Sequence, residues 1–169
     1  MTSPAEIRTV RPDDALARRV LREYTDEVAS RWYGRPATTA EVDAALAEDP
    51  SDELAAPGGT FLVALDAAGE PIGCAGLELA PDGAAGVGEV KRVFVTPAAR
   101  GTGLGGHLLD AVESFAAGRG VRRVQLDTRH DLVESHRLYE GRGYVRVPAF
   151  NGGPYSERWY AKELARTDA

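Results

Sequence analysis

The stretch Val95-Thr96-Pro97-Ala98-Ala99-Arg100-Gly101-Thr102-Gly103-Leu104-Gly105-Gly106 puts four glycines into its last six residues, after an apolar strand-like run and before a helical one. Glycine lets the backbone approach a ligand closely, and the unpaired N–H groups at a helix start favour anions. Arg100 adds a fixed positive charge suited to phosphate. The segment therefore reads as strand, loop and helix arranged around a phosphate or diphosphate. A tight turn without a ligand is the plainest alternative. A dinucleotide fingerprint is another, because Gly101, Gly103 and Gly106 match Gly-x-Gly-x-x-Gly and Asp127 lies about where a ribose-binding acid would stand. That fold sets its glycines directly at the strand end, however, whereas here Pro97 and Arg100 intervene.

What surrounds the loop also argues against a dinucleotide fold. Residues 7–11 read as a short strand stopped by Pro12, and Asp13 starts a helix. Along it Leu16, Val20, Tyr24 and Val28 recur every four residues, until Trp32, Tyr33, Gly34 and Pro36 end it. Thr39 is expected to cap a second, short helix. Strands over 61–65, 72–79 and 87–96 follow one another through short turns, an antiparallel meander rather than a series of parallel units. A helix over 102–118, a strand over 121–127, a helix over 132–140 and strands over 144–147 and 158–164 complete the chain. The strand–helix–strand unit around the glycine loop is expected to be right-handed within a mixed sheet.

The chain has 169 residues, 43% of them hydrophobic, which suits one domain over 1–169 with a core that needs no staple. Its formal net charge of −6 repels phosphate backbones, so nucleic acid is not an expected partner. Cys74 is the single cysteine, and its apolar surroundings point to a core residue. The three histidines, His107, His130 and His136, are scattered without ligand spacing, so no metal is expected. No apolar run reaches a membrane-spanning length and the first residues are not a signal sequence, so the expectation is a cytoplasmic protein without a membrane partner.

Val-x-Pro-x-x-Arg-Gly-x-Gly-Leu-Gly, residues 95–105, resembles the coenzyme A-binding motif of the GNAT acyltransferases. The order of elements resembles that family over nearly the whole chain. The resemblance implies a mixed α/β fold, a central sheet of about seven strands flanked by about four helices. It implies acetyl-CoA as co-substrate, with the pyrophosphate on the amides of Gly101, Thr102, Gly103, Leu104, Gly105 and Gly106 beside Arg100. The family splays its long strand at a bulge, so Val93, Phe94 and Val95 would pair with the pantetheine arm. Simple alternation would put Glu89, Lys91, Val93 and Val95 on one face, and a bulge would change that phase. Leu138-Tyr139-Glu140-Gly141-Arg142-Gly143-Tyr144 is similar to a second family signature, whose tyrosine protonates the leaving sulfur; the role falls on Tyr139. Where the family often has a cofactor-binding asparagine this chain has Leu132, leaving Ser135 or Arg137 to replace it.

The chemistry needs a proton acceptor for the amine, a donor for the oxyanion and a proton for the thiolate. By resemblance Glu89, acting through water, is the first candidate base and Asp127 the second. The acceptor would lie between Arg31-Trp32-Tyr33-Gly34-Arg35 and Phe150-Asn151-Gly152-Gly153-Pro154-Tyr155, with Trp32, Tyr33, Asn151 and Tyr155 as contacts and Arg31 and Arg35 available for an acceptor anion. The expected reaction is acetyl transfer to a primary amine, on a small molecule, by direct attack through a tetrahedral intermediate. A non-catalytic acyl-CoA-binding module and a protein N-acetyltransferase are the alternatives. Many relatives dimerise, which makes a homodimer a candidate assembly.

Overall fold

A computed structural model describes residues 4–165, so both ends of the expected 1–169 domain lie outside the described residues. Seven strands form one mixed sheet in the order β1-β2-β3-β4-β5-β7-β6. They are β1 (Glu6–Thr9), β2 (Gly59–Leu65), β3 (Pro71–Leu79), β4 (Val87–Val95), β5 (Arg123–Thr128), β6 (Val145–Arg146) and β7 (Arg158–Glu163). The helices are α1 (Ala15–Tyr33), α2 (Thr39–Glu48), α3 (Leu104–Gly118) and α4 (Val133–Gly141). The meander β1–β4 is antiparallel throughout, and β4 then pairs with β5 in parallel across α3. The final strand β7 inserts between β5 and β6, antiparallel to both.

The helix starts differ slightly from the sequence reading, for reasons of capping. Asp14 rather than Asp13 caps α1, its carboxylate accepting from Leu16 N at 2.9 Å. Thr38 rather than Thr39 caps α2: its hydroxyl accepts from Glu41 N at 3.1 Å, and Glu41 reaches back to Thr38 N at 3.0 Å. Gly34, left-handed at φ 69°, closes α1.

Two cores occupy the two faces of the sheet. Beneath α3, the fully buried Leu108, Leu109 and Val112 pack against Leu77, Val90, Val124 and Leu126, and Tyr139, Tyr144 and Tyr160 join them. Each such leucine contributes about 2 kcal/mol by leaving water. Beneath α1, Ala17, Val20 and Leu21 cover Phe61, Val63, Cys74 and Phe94. Cys74 is wholly buried, and burial pushes its thiol well above the usual range, as suits a packing residue.

One strand serves both faces because it is bulged. Opposite Ala75, β4 carries both Arg92 and Val93, and pairing resumes at Phe94 with Cys74. Val90 points into the α3 core before the bulge, and Phe94 points into the α1 core after it. The alternation is therefore inverted. Glu89 and Lys91 share the α1 face with Phe94, while Val93 and Val95 pack on the α3 side. Simple alternation, with Glu89, Lys91, Val93 and Val95 on one face, is thus corrected. The bulge forces Arg92 into the left-handed region at φ 59°. Its guanidinium holds it there, reaching Ser51 Oγ at 3.2 Å and the Asp49 carbonyl and carboxylate at 3.1 and 2.9 Å. The Arg92 carbonyl accepts from Cys74 Sγ at 3.1 Å.

Candidate active site

Shortly before the bulge β4 leaves its parallel neighbour. The β4–β5 ladder holds only from Val87 to Glu89, opposite Arg123 to Gln125, so the last part of β4 presents a free edge toward β5. A cleft of about 260 Å³ opens there, lined by Val93, Phe94 and Val95, the glycine loop, Ser135 and Leu138 of α4, and Tyr24, Glu27 and Val28 of α1.

The loop enters through a 3-10 turn, Pro97–Ala99, and α3 begins at Leu104. Among the described residues the amides of 101–106 make no hydrogen bond; His107 N is the first to bond, to the Gly103 carbonyl at 3.2 Å. Six successive N–H groups are thus free at a helix start that faces the cleft. Gly101 and Gly103 have φ of 79° and 85°, and a Cβ on either would meet nothing within 4 Å, so both border open space. The free amides, open cradle and unpaired strand edge together suit a pyrophosphate followed by an extended polar arm.

The other glycines serve packing. A Cβ on Gly105 would come within 3.0 Å of Leu138 Cδ2, and one on Gly106 within 1.8 Å of Arg142 Nη2. These two let α4 lie close on α3. Leu104 is a core side chain at the cleft floor, and the Thr102 hydroxyl donates to the Ala99 carbonyl at 2.6 Å.

Arg100 turns away from the loop amides. Its Nε donates to the Val95 carbonyl at 3.0 Å, and its Nη2 lies 2.6 Å from both carboxylate oxygens of Glu27. The charge expected to serve phosphate is already partnered. Arg31 and Arg35 are likewise engaged within the protein: Arg31 with Glu134, and Arg35 with Glu41 at 2.9 Å. Neither is free for an acceptor anion.

Tyr139 is buried, its ring 5.8 Å from that of Tyr144 and 5.9 Å from that of Tyr160. Ser135, one turn earlier on α4, is on the cleft wall. Burial raises the Tyr139 phenol above its ordinary range, with the charges of Tyr24 and Asp127 adding to the effect. It stays protonated at neutral pH. Tyr24 does line the cleft, edge-on to Phe94 at 5.9 Å. Sequence reading absorbed it into the apolar stripe of α1; the carboxylate of Glu27 three residues later, on the same side of the helix, is the signal that this stripe meets a polar cleft.

Glu89 and Asp127 both lie on the α1 face of the sheet. Glu89 is opposite Gln125, so Asp127 stands two residues further along, level with the start of the splay. Strand geometry puts their Cα atoms about 8 Å apart. Burial raises the Glu89 carboxyl above the usual range; Lys91 opposes this and Asp127 adds to it. The Asp127 charge acts on the Tyr24 and Tyr139 phenols as well, which makes it the more central of the two carboxylates.

The expected acceptor residues separate into two places. Trp32 and Tyr155 meet edge to face at 5.0 Å, both about half exposed, while Tyr33 stacks under Arg35 instead. Asn151 is at Asp127, donating from Nδ2 to Oδ2 at 2.8 Å. The buried Arg129, which sequence reading passed over, ties this region to α1. It donates to the Val28 carbonyl at 2.7 Å, pairs with Asp131 at 2.7 Å and lies 5.3 Å from the Trp32 ring. Among the described residues no three His, Cys, Asp or Glu side chains gather as a metal site, and no helix is long and apolar enough to cross a membrane.

The chain is similar to known proteins. The chain is 31% identical over 135 residues to an uncharacterised N-acetyltransferase of Schizosaccharomyces pombe, covering 80% of this chain and 78% of that one. It is 33% identical over 108 residues to an aminoglycoside N(6')-acetyltransferase type 1 of Stenotrophomonas maltophilia, covering 58% of this chain and 70% of that one. The crystal structure of an acetyltransferase from Streptococcus agalactiae superposes with a TM-score of 0.74 at 21% identity, covering 96% and 99% of the two chains, which shows the shared fold. The profile of the acetyltransferase (GNAT) family matches residues 20–144, a span that runs from the first helix through the glycine loop to Tyr144; the chain belongs to that family and is an acyltransferase.

Proposed function

We propose that this chain, as a single cytoplasmic domain, transfers the acetyl group of acetyl-CoA to a primary amine on a small molecule by direct attack. The observation that carries the reading is the run of unpaired amides at 101–106 beside the free edge of β4, with two carboxylates and a protonated tyrosine near the splay. The aminoglycoside-acetylating relative supports a small amine acceptor.

Acetyl-CoA supplies an activated acyl group as a thioester. The amides of 101–106 hold its pyrophosphate, and the edge of Val93, Phe94 and Val95 aligns the pantetheine arm. The amine arrives as an ammonium ion. One proton passes to the Glu89–Asp127 pair, directly or through water, and nitrogen then attacks the carbonyl carbon. As the carbon–sulfur bond breaks, Tyr139, one helical turn after Ser135 of the cleft wall, stabilises the departing sulfur. A phenol is a weaker acid than a thiol by about 1.5 pKa units, roughly 2 kcal/mol, even before burial. Tyr139 therefore acts as a hydrogen-bond donor and relay: the sulfur ends with a proton that the attacking nitrogen gives up, and the third nitrogen proton remains on the amide. Trp32 and Tyr155 form an aromatic rim for the body of the acceptor.

Thermal shift with acetyl-CoA, coenzyme A and NAD, followed by thiol release over a broad amine panel, tests this reading. Stabilisation by the two coenzyme A species but not NAD, with release for at least one small amine, is expected; a site filled at about 100 times its Kd adds roughly 2.7 kcal/mol. Tight binding without release for any amine would identify an acyl-CoA-binding module instead. Release only with a peptide N-terminus would identify a protein acetyltransferase.

A further inference from the structure

Asn151 stands between two groups that leave its amide one orientation. Its Nδ2 donates to Asp127 Oδ2 at 2.8 Å, and its Oδ1 accepts from the indole Nε1 of Trp159 at 2.8 Å. An ionised carboxylate only accepts and an indole only donates, so a flipped amide would lose both bonds. The three residues come from different parts of the fold. Asp127 and Trp159 are register partners on β5 and β7, and Asn151 belongs to the loop before β7. One oxygen of Asp127 is thereby fixed. The other, Oδ1, takes no hydrogen bond among the described residues, and it is not sealed from solvent as a buried unpaired atom. The titratable groups on which the charge of this carboxylate acts are Glu89 from β4, Tyr24 from α1 and Tyr139 from α4, a carboxyl group and two protonated phenols. The cations of β4 are engaged elsewhere, Lys91 with Glu78 at 2.9 Å and Arg92 on the α2–β2 loop.

We propose that Asn151, clamped by Trp159, is the positioning residue that presents the free oxygen of Asp127 to the acceptor's ammonium group, so that the site selects aliphatic amines over arylamines. The inference rests on the acetyltransferase reading. It divides the two carboxylates by role: Asp127, held rigidly by an amide donor, receives the cation, and Glu89, whose ionisation burial disfavours, takes its proton. Arylamines are neutral at pH 7 and offer Asp127 no charge.

Steady-state thiol release by the full chain, with benzylamine, spermidine and glycinamide as aliphatic probes against aniline and 4-aminobenzoate, tests it. Asn151→Ala should raise the aliphatic amine KM about tenfold while the acetyl-CoA KM stays unchanged, Trp159→Phe should act the same way by less, and the arylamines should be poor substrates throughout. An unchanged aliphatic amine KM in Asn151→Ala, a parallel rise in both KM values, or arylamines turned over as fast as aliphatic amines would overturn the proposal. A wild-type enzyme that binds acetyl-CoA but releases thiol with none of these amines would instead remove the acetyltransferase reading.

Discussion

Glu27 and Arg100 close over one side of the cleft: both carboxylate oxygens of Glu27 lie 2.6 Å from Arg100 Nη2, joining α1 to the glycine loop. The pair is partly exposed, so its net worth is small, about 0.5 kcal/mol. Its effect on the ligand is larger in kind, because it neutralises a cation set beside a pyrophosphate cradle. Glu27→Gln is therefore expected to tighten coenzyme A binding about threefold and to steepen its salt dependence, with little change in stability. Isothermal titration at two ionic strengths measures both. An unchanged Kd would mean that Arg100 stays on the Val95 carbonyl without its partner.

The glycine loop separates conformational from packing requirements. Gly103 holds φ at 85° with open space around it, so Gly103→Ala is expected to cost about 1–2 kcal/mol through backbone strain alone, and to weaken coenzyme A binding as the cradle distorts. At Gly106 the atoms nearest the new methyl are the end of the Arg142 side chain, which can swing away from its 3.2 Å contacts with Asp110. Gly106→Ala should therefore cost well under 1 kcal/mol. Urea unfolding of the two variants gives the comparison.

The difference between these two glycines marks what a sequence can and cannot reveal. The glycine loop, the meander and the helix stops were legible because their causes are local: missing Cβ atoms, alternation and caps. The phase of β4 was not, since the bulge depends on a left-handed arginine held by Asp49 and Ser51, more than forty residues earlier. The pairing of Arg100 was hidden for the same reason, its partner lying 73 positions away. The bond of Asn151 to Asp127 was hidden as well, because it needed β7 to insert beside β5, and no periodicity encodes that order.

Glu89 gives the stability curve a distinct sign. Its folded pKa is raised by burial, so between the unfolded carboxylate value and the folded one the native state binds more protons than the unfolded state. Stability at this site is then greatest at low pH and falls as pH rises through that window. Glu89→Gln removes the dependence. Relative to wild type, the variant should gain stability on going from about pH 4.3 toward neutrality. Urea midpoints from acid to neutral pH check this. If Glu89 is the base, the same raised carboxyl is expected to set the acid limb of kcat/KM, and that limb should disappear or shift in Glu89→Gln.

Tyr139 supplies the sharpest test of the chemistry, because its hydroxyl can be removed without leaving a cavity. The ring packs against Tyr144 and Tyr160, and Phe keeps those contacts. Tyr139→Phe should lower kcat by about a hundredfold, the lower end of what a positioned proton donor contributes, while the Kd for coenzyme A changes less than twofold. Burial keeps the phenol protonated beyond the neutral range, so no alkaline limb from Tyr139 is expected near neutral pH in the wild-type profile. Ser135→Ala should produce a smaller loss of the same kind, since Ser135 lines the cleft one helical turn before Tyr139. If Ser135→Ala instead costs more than Tyr139→Phe, the proton reaches the sulfur from the cleft side, and Tyr24, which already lines it, becomes the donor to replace next.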